Sequence, residues 1–212
     1  MFQTTSPARS KVAVSHREPL LRAGIASTLS AHADFDVSTQ CVQVSAEAPP
    51  PFDVIVADYD NGLRLARDTA RAPRAGSPPA HVMVLTTVDR EADIRRAVDA
   101  GVRGYLLLDA EPKELVEGVA ALARGSRYWC HSVAMRMADS LQHIGLTTRE
   151  TEVLQLVVDG EPNKTIARQL QIEIGTVKSH IGAIMSKLGA TSRTHAARIA
   201  TTRGLVREAV TA

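Results

Sequence analysis

Cysteine is scarce in this sequence: among 212 residues only Cys41 and Cys130 carry thiols. They stand far apart, give neither a disulfide framework nor a metal-ligand spacing, and read as small apolar residues in a reducing cytoplasm. Long apolar runs are missing too. No stretch approaches the ~20 residues of a membrane span, so no membrane partner is expected. Residues 1–10, MFQTTSPARS, lack the apolar core of a signal peptide and are expected to be a disordered tail. A nucleophilic triad, a zinc spacing and a phosphate-binding glycine loop are also absent. The chain is therefore not expected to be an enzyme, and no catalytic residue, metal or cofactor is assigned. Tryptophan occurs once, at Trp129, where packing against a domain is expected rather than ligand binding.

What is present is an uneven charge. Residues 146–212 carry nine Lys/Arg against six Asp/Glu, whereas residues 1–145 carry sixteen against seventeen. Within residues 163–207 eight basic side chains face one acid, Glu173. A compact basic segment on a near-neutral chain points to a polyanion, most simply nucleic acid.

The first half alternates strand and helix patterns. Strands are expected at 11–15, 35–42, 52–57 (FDVIVA), 81–86 (HVMVLT) and 104–108 (GYLLL). The runs at 52–57 and 81–86 are apolar throughout and rich in β-branched residues, as in strands buried on both faces. Helices are expected at 19–29, 90–100 and 113–123, with Pro19 in the first turn of one and Gly101 and Gly125 as stops of the others. The crossover at 43–51 ends in three prolines and is expected to be short or irregular. This alternation gives an α/β fold, a doubly wound five-stranded parallel sheet of flavodoxin type over 11–125. Residues 126–145 read as a linker, partly helical over 132–142.

From Leu146 the pattern is helical alone. Thr147 and Glu150 have capping-box spacing; Val153, Leu154, Leu156 and Val157 form an apolar stripe ended by Gly160. A short helix at 163–170, a tight turn (QIE) and a helix at 175–188 then have helix-turn-helix geometry, with Gly189 as the stop. Ile166, Ala167, Leu170, Ile172 and Val177 face inward. Thr176, Lys178, Ser179 and His180 are left on the half of the second helix that reaches base edges in the major groove. A last helix is expected at 193–202, and residues 208–212 form a tail.

The stretch LTTRETEVLQLVVDGEPNKTIARQLQIEIGTVKSHIGAIMSKLGATSR resembles the LuxR-type helix-turn-helix nearly end to end. Its matching elements are LT..E.EVL, G..NK.IA, L.I...TVK.H and KL.A.SR. The resemblance assigns 146–207 as a small all-α DNA-binding domain, with double-stranded DNA as its partner. It implies that Lys178, Ser179 and Gly182 face the groove, and that Lys164, Thr176, His180 and Lys187 face phosphates. It makes the last helix a dimerisation helix, with Arg193, Ala196, Ala197 and Ala200. Glu173 stands where many members of that family carry Ser or Thr as helix cap.

With PLLRAGI, FDVIVAD, VLTT, DAGVRGYLL and DAEPKELVEGV in this order, residues 11–125 are similar to the receivers of NarL/FixJ-type response regulators. The resemblance makes Asp58 the phosphoacceptor-like residue and gives Thr86 and Tyr105 their switch positions. Members hold Mg²⁺ with two acids after the first strand and use a Lys after the fifth. Here those positions carry His16, Arg17 and Leu108, and the loop after Asp58 is expected to be shortened. Arg17 either pairs with Asp58 as a fixed cation or points to solvent. Three functional readings follow. The first is a cytoplasmic, dimeric DNA-binding transcription regulator whose receiver is not switched by Mg²⁺-dependent phosphorylation. The second is a conventional two-component regulator phosphorylated on Asp58, with a sensor kinase or other regulatory protein as partner. The third is a protein- or ligand-interaction module with secondary DNA binding.

Overall fold

The computed structural model describes residues 9–39, 42, 50–71, 78–141 and 145–206. Cys41, the end of the expected second strand at 40–41, most of the crossover at 43–49 and the tails at 1–8 and 207–212 lie outside the described residues. The chain divides into two compact units, Met1–Asp89 with Ile94–Ala134 and Arg90–Asp93 with Met135–Ala212. No helix among the described residues is long and apolar enough to cross a membrane.

The first unit is a parallel sheet wrapped by helices. Its strands are β1 (Ser10–Ser15), β2 (Phe35–Ser38), β3 (Val54–Ala57), β4 (His81–Thr86), β5 (Gly104–Leu107) and β6 (Tyr128–Trp129). They lie in the order β2-β1-β3-β4-β5-β6, each pair parallel, with Val12 opposite Val54 and Val56 opposite Met83. The helices up to Leu141 are, in chain order, α1 (Pro19–Ser30), α2 (Tyr59–Arg71), α3 (Glu91–Asp99), α4 (Pro112–Ala123) and α5 (His131–Leu141), of which α3 and α5 have residues in both units.

Two features correct the sequence expectation. The sheet has a sixth strand, because the expected linker begins with β6, whose Trp129 ring stacks on Tyr105 at 6.4 Å between centroids. A two-residue strand leaves no periodicity to detect. Asp58 is also followed by no loop: α2 starts at the next residue, and the N–H of Gly62 bonds the Asp58 carbonyl at 2.8 Å.

Every residue of β3 and β4 is buried, so helices must cover both faces of the sheet closely. Adjacent side chains of a strand point to opposite faces. Met83 lies under α4 and Val84 under α2, and each helix places a glycine at the contact. A Cβ built on Gly118 would stand 2.5 Å from Met83 Cε and 2.8 Å from Tyr128 Cδ1; one on Gly62 would stand 2.6 Å from Val84 Cγ2. Val84 is β-branched and fixed in the strand, so it cannot yield. Gly62→Ala should therefore lose about 1–3 kcal/mol to overpacking, more than the ~1 kcal/mol that alanine adds to a helix. Denaturant melts followed by the fluorescence of Trp129 check this, and an unchanged midpoint would contradict it.

The second unit packs α6 (Thr148–Val158), α7 (Asn163–Leu170), α8 (Ile174–Leu188) and α9 (Arg193–Thr202) around Val153, Leu154, Ile166, Val177, Ile184 and Ala200. The capping box forms as expected: Thr147 Oγ1 accepts the Glu150 N–H at 3.2 Å, and Glu150 Oε2 accepts the Thr147 N–H at 2.7 Å. Gln171 turns the chain between α7 and α8 in the left-handed conformation, φ 55° and ψ 44°.

Glu150 is buried, and Lys187 Nζ of α8 reaches its Oε2 at 2.7 Å. Burial alone would raise the carboxyl's pKa. The bonds from Lys187 and Thr147, with the Lys187 charge, outweigh it, so Glu150 ionises below its ordinary 4.5. A carboxyl with a depressed folded-state pKa stabilises the fold above its unfolded pKa and ceases to do so as acid protonates it. The second unit should therefore lose stability as the pH falls below 4.5 and through the lowered pKa. Glu150→Gln should cost about 1–3 kcal/mol near neutral pH and abolish that acid step. Circular dichroism melts across this range test both, with Trp129 fluorescence reporting the first unit separately.

Candidate functional site

In an open parallel sheet, ligands bind beyond the carboxyl ends of the strands where the strand order reverses. Here that point lies between β1 and β3. Asp58, just past β3, turns its carboxylate into it. Asp58 Oδ2 accepts the N–H of Arg17 at 2.9 Å, and Oδ1 accepts the N–H of Asn61 at 3.1 Å. The second bond makes Asp58 the cap of α2, joining the first turn to the strand end. Asn61 Nδ2 donates to both the carbonyl (2.9 Å) and the Oγ (3.0 Å) of Ser15, so α2 is also tied to β1. The cleft above these groups encloses ≈ 340 Å³ and is lined by His16, Arg17, Asp58, Thr86 and Leu108 among others.

Of the expected residues, His16, Arg17, Asp58, Thr86 and Leu108 line this cleft, while Tyr105 is buried beneath and not part of its lining; of the two alternatives for Arg17, the structure has the solvent-facing one. Arg17 does not form the side-chain pair with Asp58. Its guanidinium points outward, 70% exposed and 3.8 Å from Glu18, and only its main-chain N–H meets the carboxylate. The turn after β1 aims the amide inward, and the long cationic side chain stays hydrated. His16 is buried; its Nδ1 accepts the Glu18 N–H at 3.1 Å. Thr86 and Tyr105 converge on one residue: Thr86 Oγ1 accepts the Val88 N–H at 3.2 Å, and the Tyr105 hydroxyl donates to the Val88 carbonyl at 2.7 Å. Asn61 was not anticipated, although an Asp three residues before it, at N-cap to N3 spacing, is a readable signal.

In the second unit, α8 turns Val177, Ile184 and Leu188 inward and leaves Thr176, Lys178, Ser179 and Gly182 exposed, with His180 half-buried. A Cβ on Gly175 or Gly182 would meet nothing within 4 Å, and neither has a positive φ. Neither packing nor backbone geometry within this unit asks for glycine there. Ser179 Oγ donates to the Gly175 carbonyl at 3.2 Å. Glu173 caps α8 without a side-chain bond. Lys164 is exposed in the first turn of α7.

Other expected contacts need correction. Lys187 is not an open phosphate ligand, because its ammonium is bound to Glu150 and to the Gly145 carbonyl at 3.3 Å. On α9, Ala196 and Ala200 are buried in the core of their own unit and Ala197 is partly covered, so the first two cannot meet a second copy. Arg193 bonds to Asn163 and to the Glu161 carbonyl. The family resemblance had given these side chains outward roles; the core of this small four-helix unit takes in one face of α9, with Ala196 and Ala200 at its centre.

Residues 145–200 match the family described as bacterial regulatory proteins, luxR family. Over 193 residues the chain is 33% identical to a nitrate/nitrite response regulator protein homolog of Haemophilus influenzae, covering 86% of this chain and 92% of that one. Its structure is similar to the crystal structure of the response regulator ChrA of a heme-sensing two-component system. That match has 34% identity and a TM-score of 0.51, over 93% of this chain and 99% of the other. A structure of two RcsB dimers bound to two parallel DNAs shares the fold at 20% identity, with a TM-score of 0.59 over 92% and 98%. With a receiver-like parallel sheet in front of a luxR-family helix-turn-helix, the chain belongs to the NarL/LuxR-type response regulators and is a DNA-binding transcriptional regulator.

Proposed function

We propose that this regulator binds DNA as a dimer through α7 and α8, and that its receiver is not switched by Mg²⁺-dependent phosphorylation of Asp58. The observation that carries the second part is the occupation of the Asp58 carboxylate. Each oxygen already accepts a main-chain N–H, and one of those bonds caps α2. Mg²⁺ needs a near-octahedral shell of hard oxygens. The donor set here does not suit it: the positions of the family's acid pair hold the buried imidazole of His16 and the cation Arg17. Leu108 stands where a lysine would balance a phosphoryl charge. Thr86 and Tyr105 keep their family positions, which favours the conventional reading, but both already engage the main chain of Val88. The receiver then serves as a dimerisation or partner-sensing module.

For DNA, the exposed Lys178 and Ser179 read the groove and Lys164 neutralises phosphate. Dimerisation is supported by analogy with the RcsB dimers seen on DNA.

Treatment with acetyl phosphate and Mg²⁺ should leave the intact mass unchanged; a gain of about 80 Da, one phosphoryl group, that disappears in Asp58→Asn would overturn the proposal. An asparagine offers one acceptor oxygen where two N–H groups need partners. Asp58→Asn should therefore lower stability by about 1–3 kcal/mol, whereas a carboxylate held for phosphorylation alone could be replaced without that loss.

On the DNA side, Lys178→Ala should weaken specific binding by about 1–3 kcal/mol and relax base preference. Gly182→Ala should act with opposite signs on two measurements. Alanine stabilises a helix interior by about 0.5–1 kcal/mol over glycine, so melting should rise. Specific binding should weaken, because a methyl would separate the helix main chain from the groove. Equal or tighter binding by Gly182→Ala would show that the glycine has no part in groove contact.

A further inference from the structure

Arg193 opens α9, yet its guanidinium reaches the far end of another helix. One nitrogen donates to Asn163 Oδ1 at 2.8 Å and the other to the Glu161 carbonyl. Both acceptors belong to the turn that launches α7. Pro162 caps that helix and supplies no side-chain acceptor. The N–H groups of Asn163 and Lys164 are thus left to solvent or to a ligand, at the positive end of the helix dipole and beside the exposed Lys164 ammonium.

Such an end can hold a phosphate oxygen only if it is kept at a fixed height against the duplex. The turn between Gly160 and Asn163 is tied at its start to α6, where the N–H groups of Gly160 and Glu161 bond the Val157 and Leu156 carbonyls, whereas the first fully buried residue of α7 itself is Ile166. The Arg193 fork adds a hold from α9 at the end of that turn, on Glu161 and Asn163. A planar guanidinium gripping one side-chain and one main-chain acceptor fixes direction as well as distance. The base of the fork is itself anchored, because Ser192 Oγ caps α9 by accepting the His195 N–H at 3.1 Å.

We propose that Arg193 is a positioning residue for DNA binding: its fork holds the start of α7 so that Lys164 and the adjacent N–H groups meet a backbone phosphate. The proposal rests on the DNA-binding reading of α7 and α8 given above. It also places α9 and the phosphate contact under one mechanical link, so that a shift of α9 is passed to α7.

A double-mutant cycle on the full chain tests this, using a duplex recovered by the wild-type protein from a random-sequence pool. Affinities are measured over a salt series for Arg193→Lys, Lys164→Ala and the pair, with melting followed alongside. Lysine keeps the charge but cannot make the two-pronged grip. Arg193→Lys is expected to weaken binding about ten-fold and to reduce the salt slope by about one, as Lys164→Ala does. In the Lys164→Ala background it should add less than about two-fold, whereas paired with Lys178→Ala its effect should be additive. The same loss in every background would overturn the positioning role, leaving Arg193 a structural residue only. Should Arg193→Lys melt below the assay temperature, Asn163→Ala removes one prong alone and must show the same dependence on Lys164. No duplex retained by the wild-type chain would instead overturn the DNA-binding reading, and the proposal with it.

Discussion

The carboxylate of Asp58 accepts one N–H from the turn after β1 and one from the first turn of α2, and the cleft takes its shape from those two bonds. Hydrogen bonds to an ionised acceptor contribute about 1.5–3 kcal/mol each, roughly twice a neutral pair. They lock the ends of two adjacent strands to a helix that starts without an intervening loop. Asn61 repeats the link from the helix side by gripping Ser15. On the reading proposed above, a group so placed serves to hold the fold rather than to accept a phosphoryl. Conversion to an acyl phosphate would take the charge from oxygens that accept these two N–H groups and place a bulky dianion beside them. The geometry that makes this end of the sheet rigid is the same geometry that argues against a phosphorylation switch.

The second unit solves its own problem in a related way. Glu150 completes the cap of α6 and binds Lys187 of α8, so one buried carboxylate fixes two helices. Counting basic residues therefore overstates the cationic face. Lys187 and Arg193 are bound to partners within the unit, and Arg149 donates to the Leu170 carbonyl at 2.6 Å and pairs with Glu152. What stays on the surface of α7 and α8 is chiefly Lys164, Arg168 and Lys178. The basic segment thus has two tasks, one internal and one outward, and only the outward part can enter a salt-dependent contact with phosphate.

Much of this was legible because burial leaves a period in the sequence. Continuous apolar runs announced β3 and β4, and the Thr147–Glu150 spacing announced the start of α6. The helix α2 was hidden because its Asp58 cap was read as a phosphoacceptor followed by a loop, and its apolar positions Leu63, Leu65 and Ala66 were not assigned to a face. β6 is too short for a period. The direction of Arg17 could not be read at all, because sequence gives the side chain but not which of its residue's groups, amide or guanidinium, the turn will present. Lys187 and Arg193 were given outward roles by the family resemblance, and the residues themselves could not correct it for a similar reason. A long cation on an amphipathic helix looks the same whether it ends in solvent or on a carboxylate across the core.

These assignments limit how the proposed recognition helix can discriminate between sequences. The hydroxyl of Ser179 already donates its proton to the Gly175 carbonyl, so towards a base it can only accept. Gly175 and Gly182 offer main chain and no side chain. Lys178 is left as the strong donor of the exposed face, and one such contact supplies about 1–3 kcal/mol of discrimination. Specific binding commonly exceeds non-specific binding by about 4–10 kcal/mol. The difference has to come from other terms: two copies doubling each contact, and sequence-dependent groove shape read through close approach of a bare helix. A rigid hold on α7 then matters more than it would in a helix rich in base-reading side chains, because shape is read by where the phosphates fall. On that argument, the fork of Arg193 and the open glycines of α8 are parts of one recognition strategy.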